Sequence, residues 1–472
     1  MFSIAIAISA FVAYALTHAA PDRYSHAYVT AALLLTTASI VLHVQGKRRH
    51  GIPKNVLGLD VVFLIGFMIV NFTTVLYVYS GAVSAHAVQW RVPVAKYFME
   101  STMGATLGIS GFCCGFAGAM DLHRFQAGSR RWWSAQPFSI SLRHAVLLSF
   151  TGGILLAFFL VRNRGTYFGG TYSGVSDIPE IDTIAFTLSQ IALTVSAAFS
   201  VIVMLKNGAD DFARCVLTQV PWFVLLLAMF IHGDRGGIIQ NSGPVFFLIF
   251  LKTPRRLLLP LSVFGLILLL AALAVVRVVR QQARGGPEVW SNAIVDSQPS
   301  DLVHSTLENV GYSGQMLLIA VRHTRQNGYF HGVFMRDSVL AAIPFSRRFI
   351  SRLGIGRTQT YRGSTDLLST IVHGRTRSTG TGTSSTADLY FDFAWPGVFF
   401  GHLFVGYIAA ICTPRSMLQF SDDRRLALYL AVIGFFAIMA RYNAISMTFR
   451  HILYSAAIIY AVTRILPGAR LR

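Results

Sequence analysis

Residues 231–241 read IHGDRGGIIQN. They interrupt an otherwise apolar stretch from Val216 to Leu251 with two opposite charges, Asp234 and Arg235, set among Gly233, Gly236 and Gly237. Glycines permit the backbone angles of a tight turn. A turn with a long apolar run on each side joins two helices solvated by lipid. Composition agrees: 54% of the 472 residues are hydrophobic and 13% charged, with a mean hydropathy of +0.55. A soluble chain carries about 25% charged residues. The chain is therefore a polytopic membrane protein.

Apolar runs fall near 2–19, 28–44, 56–79, 101–120, 145–161, 183–205, 215–232, 238–251, 257–276, 394–413, 426–440 and 446–463, which predicts twelve transmembrane helices. Met1–Ala19 lacks a basic leader and reads as the first span, not as a cleaved signal. With both termini cytoplasmic, the short inner segments hold nineteen Lys and Arg and the short outer loops seven, as the positive-inside rule requires. The run 238–251 is short for a bilayer core of ~30 Å. Omitting it would turn KTPRR (252–256) and DDRR (422–425) outward, against the rule, so it is kept. This organisation gives membrane helices 1–9 over 1–276, an external (periplasmic) loop over 277–393, and membrane helices 10–12 over 394–472.

The formal net charge of +20 sits largely in short inter-span loops, which argues against a nucleic-acid partner. It comes from 35 Arg and only 5 Lys. A GC-rich genome favours Arg codons, and guanidinium forks also bind phosphate bidentately. The four cysteines, Cys113, Cys114, Cys215 and Cys412, all lie in apolar runs without metal-ligand spacing. No disulfide framework, metal site or cofactor is expected.

The external loop is too long for a simple connection. Its segments 305–324 and 334–343 have helix-spaced apolar residues, with Pro344 ending the second. SRRFISRL (346–353) suits an amphipathic helix on the membrane surface, or equally a solvated face. Further on, Arg375 and Arg377 precede a Gly/Ser/Thr run, Ser378–Thr386, able to present N–H groups and hydroxyls to an anion. It is no nucleotide P-loop, since no Gly-Lys-Ser/Thr follows. Asp388 and Asp392 then lead into the tenth span.

Three stretches together resemble the Wzy-type O-antigen polymerases: GDRGG (233–237), NGYFHGVFMRDSVLAAIPFSRR (327–348) and GTGTSSTADLYFDFAWPGVFFGHLFVGY (380–407). The resemblance covers roughly 215–410, and beyond it rests on span count. Two positions depart from the pattern. Asp234 stands where a small hydroxyl residue is usual, where it would neutralise Arg235 locally, and Ala394-Trp395 stand where Phe-Gly is usual.

The resemblance implies an all-α, GT-C-like inner-membrane glycosyltransferase. It would move a growing glycan from undecaprenyl diphosphate to a lipid-linked repeat unit on the periplasmic face, beside a flippase and a chain-length regulator. The leaving diphosphate gathers negative charge, which pre-aimed arginines stabilise. Arg235, His373 and Asp388 are the catalytic candidates on this reading, and Arg162, Arg164, Arg375 and Arg377 bind substrate. His373, which adjoins Arg375 and Arg377, is the candidate base, with Asp388, Asp234 and His331 as competitors. An O-antigen ligase acting on lipid A core is the nearest alternative. A lipid-linked oligosaccharide flippase is the alternative from another class, although no internal repeat is visible.

Overall fold

The computed structural model describes residues 2–49, 58–81, 94–126, 139–168, 178–208, 211–232, 234–252, 314–341, 343, 363–374, 382–413, 423–441 and 444–466. All regular structure among them is helical. In chain order the helices are α1 (Phe2–His18), α2 (His26–Arg49), α3 (Leu59–Tyr79), α4 (Val94–Gln126), α5 (Leu142–Phe168), α6 (Glu180–Asn207), α7 (Phe212–Thr218) and α8 (Val220–His232). There follow α9 (Arg235–Asn241), α10 (Gly243–Lys252), α11 (314–327), α12 (Val333–Ala341), α13 (Ser364–His373), α14 (Ser385–Cys412), α15 (Asp423–Ile438) and α16 (Ala444–Ile465).

Among the described residues, six segments are long and apolar enough to cross a bilayer: His26–Arg49, Leu59–Tyr79, Tyr97–Leu122, Leu142–Gly165, Glu180–Asn207 and Ser385–Cys412. The pair α7 and α8 makes a seventh if counted as one span bent by 49°. Pro221 sits at that bend, where it cannot donate to the preceding turn. Twelve spans are not reached among the described residues. The run 2–19 forms a 17-residue helix. The run 238–251 is divided between a seven-residue and a ten-residue helix, and 257–276 lies outside the described residues. SRRFISRL, Arg375 and Arg377 also lie outside them.

The chain divides into two compact units. The first comprises Met1–Ser134, Val310–Gln419 and Met439–Arg450. Its centre is the packing of α4 on α14, and glycines make it possible. A Cβ on Gly111 would lie 2.6 Å from the Phe399 carbonyl oxygen, and one on Gly115 would lie 1.9 Å from that of Leu403. Small residues bring helix backbones together where lipid gives no hydrophobic drive between helices. Hydroxyls link the other helices of this unit: Ser39 hydrogen-bonds Ser9 at 3.1 Å and Ser110 at 2.9 Å, and Thr36 meets Thr106 at 3.0 Å. Between α2 and α3, buried Asp60 takes hydrogen bonds from His43 (2.8 Å) and Lys47 (2.7 Å), so the charge is paired where lipid would not solvate it.

The second unit comprises Ala135–Asn309, Phe420–Ile438 and His451–Arg472. Leu156, Leu193, Ala197, Trp222, Leu225 and Met229 form a core cluster between α5, α6 and α8. Gln219, at the bend between α7 and α8, donates to Ser196 (3.1 Å) and Ser200 (2.8 Å) on α6 and so ties the bend to that helix, while its Oε1 is buried without a hydrogen-bond partner. Lys206 on α6 pairs with Asp423 at the start of α15.

Candidate functional site

In the second unit, the Gly-rich turn is built as a helix cap. Asp234 precedes α9, and its Oδ1 accepts the Gly237 N–H at 2.9 Å. A carboxylate at this position satisfies one of the donors that a helix start leaves over. Its backbone N–H in turn donates to the Met229 carbonyl at 2.9 Å, closing α8. Asp234 thus has a structural occupation that needs no reference to Arg235, which opens α9. Gly237 is a close-approach position: a Cβ there would lie 2.5 Å from Asp234 Oδ2 and 3.0 Å from Met229 Sδ. Beyond the turn, Asn241 Oδ1 accepts from Thr194 at 2.5 Å and its carbonyl accepts Trp222 Nε1–H at 3.2 Å. The turn is therefore anchored at both ends.

The end of α5 joins this turn. His232, the last residue of α8, stacks on Tyr167 with ring centroids 4.0 Å apart, and its Nδ1 donates to the Tyr167 carbonyl at 2.6 Å. Five residues before Tyr167, Arg162 places Nε 3.2 and 3.3 Å from the two oxygens of Asp182. Asp182 is buried, and Asn163 donates to it at 3.0 Å. The Arg162 side chain remains 53% exposed and its guanidinium lies over Phe158 at 5.2 Å. Arg164 is exposed. Three of the sequence candidates, Arg162, Arg164 and Arg235, thus lie on adjoining segments of one unit. Arg162, held by Asp182 with an exposed edge, is a preorganised anion partner.

Of the remaining candidates, His331 and His373 lie on described segments of the first unit, as does Asp388, on α14. Its backbone leaves helical geometry at Phe393 (φ −139°, ψ 16°) and Ala394 (φ 56°, ψ −154°). Ser385 and His402 are 17 residues apart, which in a straight helix is ~25 Å. Their side chains are nevertheless 3.2 Å apart. The helix is therefore a hairpin: Ser385–Asp392 folds back on the segment after Trp395, with Leu389 against Gly401. The straight limb matches the expected span 394–413, and Pro396 lies in its first turn, where a missing N–H costs nothing. Holding Ala394 at positive φ costs on the order of 1–3 kcal/mol.

Polar groups gather in the short limb. Ser384 caps it by accepting the Ala387 N–H at 3.1 Å. Thr383 donates to Asp388 Oδ1 at 2.6 Å, with the Ser364 hydroxyl alongside, whereas Asp388 Oδ2 and Thr386 Oγ1 are buried without a hydrogen-bond partner. His402 Nδ1 donates to the Val398 carbonyl at 2.8 Å, so its Nε2 accepts from Ser385. The end of the Gly/Ser/Thr run is thus the buried start of a helix and not an open loop. His373 closes α13, whereas Ser364, beside Asp388, opens it; nine residues of helix separate the two by ~13 Å.

At the hairpin's tip Asp392 accepts the N–H groups of Phe334 (3.1 Å) and Met335 (2.6 Å), capping α12 from another segment. The turn between α11 and α12 includes His331 and Gly332, both at positive φ (51° and 85°). On α11 the half-buried His323 is pushed below the usual imidazole pKa by burial, which keeps it neutral.

Sequence reasoning missed Glu100. It is buried on α4, and its Oε1 accepts from Arg325 Nη2 (2.9 Å) and Trp395 Nε1 (3.1 Å). The Glu100 hydrogen bond raises the Arg325 pKa above its ordinary value, so the guanidinium stays charged. A lone acid at the border of an apolar run was the available signal.

Compared with known proteins, residues 1–467 match the family model described as O-antigen polysaccharide polymerase Wzy. No curated protein and no solved structure matches the chain.

Proposed function

The chain belongs to the Wzy family of O-antigen polysaccharide polymerases, multi-pass membrane enzymes of polysaccharide assembly, and from that premise we propose its donor, acceptor and acting residues. The growing glycan leaves undecaprenyl diphosphate and passes to a hydroxyl of a lipid-linked repeat unit on the periplasmic face, both termini being cytoplasmic and 277–393 forming the external loop. The bond from the donor's anomeric carbon to the diphosphate oxygen breaks as the bond to the acceptor oxygen forms. The electron pair leaves with the diphosphate and the acceptor's proton passes to a base. A flippase supplies the units and a chain-length regulator limits the product.

The match over nearly the whole chain carries this reading, and the site geometry supports it. Arg162, held by buried Asp182, together with Arg164 and Arg235, receives the charge that develops on the leaving diphosphate. Arg375 and Arg377 bind the second lipid diphosphate. Asp388 suits the base: one oxygen is held by Thr383 and the other has no partner. His373, a helix length away, is the alternative base.

The test is polymerisation of purified lipid-linked repeat units by the purified protein, read as ladders of chain length. Wild-type protein should give ladders and release undecaprenyl diphosphate. Transfer to lipid A core without ladders would instead identify a ligase.

A further inference from the structure

A cluster of aromatic and polar side chains lies at the hairpin tip of α14, within the first unit. Its inner part is buried: Tyr390 and Trp395 are in ring contact at 4.2 Å, and Trp395 Nε1 donates to the buried Glu100. Its outer part is exposed and comes from a single segment. Arg325 bonds Glu100 through Nη2, with 47% of its side chain exposed. Four residues on, Tyr329 is 36% exposed, its ring 5.7 Å from that of Tyr390 and its hydroxyl 3.4 Å from the Tyr390 hydroxyl. Asn327, also exposed, lies between them in sequence.

This cluster differs from the Arg162–Arg164–Arg235 group in its neighbours: Arg325, like Arg162, is paired with a buried carboxylate, but Tyr329 and Tyr390 stand beside it, where Arg162 has Arg164 two residues on. What it offers is directional: guanidinium N–H donors beside a carboxylate acceptor, next to exposed aromatic surface. Sugars match that set, with vicinal hydroxyls that donate and accept and a C–H face that packs on aromatic rings. An interfacial anchor would also use Tyr and Arg, but it would not need the buried Glu100 and Trp395 that fix Arg325 in place.

We propose that Arg325, Tyr329 and the Glu100 that orients Arg325 form a glycan subsite, which takes an uncharged sugar of the repeat unit and not the lipid diphosphate. This rests on the polymerase reading and adds to it where the sugar is held. Glu100 is a positioning residue; Arg325 and Tyr329 make the contacts.

The experiment uses full-length protein in nanodiscs and the repeat-unit oligosaccharide released from its lipid by mild acid, with no phosphate. Saturation-transfer NMR should show transfer from protein to sugar C–H protons in the wild type. Tyr329→Ala and Arg325→Gln should each weaken that binding about tenfold, the scale of one lost hydrogen bond to a charged group. Tyr329→Phe should stay within about threefold, because it keeps the ring. In polymerisation, both weakened variants should raise KM for the lipid-linked unit about tenfold and leave kcat near wild type. Binding of a short prenyl diphosphate should not change. Exposed Tyr329 can be replaced without opening the core, and a thermal unfolding midpoint equal to wild type checks this. Absence of sugar transfer in the wild type, or unchanged binding and KM in Tyr329→Ala and Arg325→Gln, would overturn the subsite. A wild-type protein that binds the sugar but forms no polymer would overturn the polymerase reading alone.

Discussion

His232 lies flat on Tyr167, and its Nδ1 donates to the Tyr167 carbonyl at 2.6 Å. This contact fastens the arginine-bearing end of α5 to the turn that opens on Arg235. His232→Phe should keep the stack and lose the hydrogen bond, whereas His232→Ala should lose both. Polymer yield in a deletion strain should therefore fall in the order wild type, Phe, Ala. Equal yields from all three at matched expression would show the contact to be idle.

Arg235→Ala should abolish polymer, and Arg235→Lys should remain badly impaired, because Lys keeps the charge but loses the planar fork. Loss of one such transition-state donor costs about 3–4 kcal/mol, or several hundredfold in rate. Chain-length ladders from complemented cells read the outcome directly. A fully active Ala variant would reduce the segment to a turn.

Asp234 should behave as a cap. Asp234→Ala should lower stability by about 1 kcal/mol, and Asp234→Ser should recover most of it, since a hydroxyl also accepts an N–H. Thermal unfolding in detergent measures this. If Asp234→Ser is as unstable as Asp234→Ala, the carboxylate acts through its charge.

Asp388→Asn should slow turnover by about 10²–10⁴-fold while leaving donor binding nearly intact, as expected for loss of a general base. The sign in pH follows from the role. Protonation disables a base, so the wild-type rate should fall as pH drops, and the slow residual rate of the variant should lack that limb. If His373→Ala flattens the profile and Asp388→Asn does not, the base is His373.

Topology can be checked with single cysteines in a cysteine-free background. Ser242→Cys and Ser300→Cys should react with impermeant thiol reagents in spheroplasts, whereas Gln45→Cys and Ser421→Cys should not. The reverse pattern would invert the orientation that the charge asymmetry predicts.

The sequence was legible where chemistry is periodic or local. Most long apolar runs among the described residues became helices, although 238–251 is divided between two, and the expected tenth span begins at Ala394, where the backbone breaks. Asp234 among glycines marked a turn, although its capping bond depends on a backbone path that only coordinates supply. The hairpin was not legible, because Phe393 and Ala394 are not turn residues and Ala tolerates positive φ only when its surroundings impose it. Nor was Glu100, whose partners Arg325 and Trp395 lie 225 and 295 residues away. Pairing over such separations leaves no local trace. The glycines at 104, 108, 111 and 115 were visible at helical spacing, but only the facing helix gives that spacing a purpose.

That glycine stripe governs how this unit can move. Where main chain rests on main chain, as at Gly111 and Gly115, no side chain can change rotamer to let one helix slide or roll over the other. α4 and the long limb of α14 must travel as one piece, so any gating within this unit falls to the short limb and the segments it holds. A saturation library would register Gly111 and Gly115 as positions where one letter alone survives, while exposed residues on other helices, such as Phe150 and Val161, tolerate exchange. An inhibitor that wedges a single methylene into the seam would have to part the helices along their length, a far larger displacement than its own size.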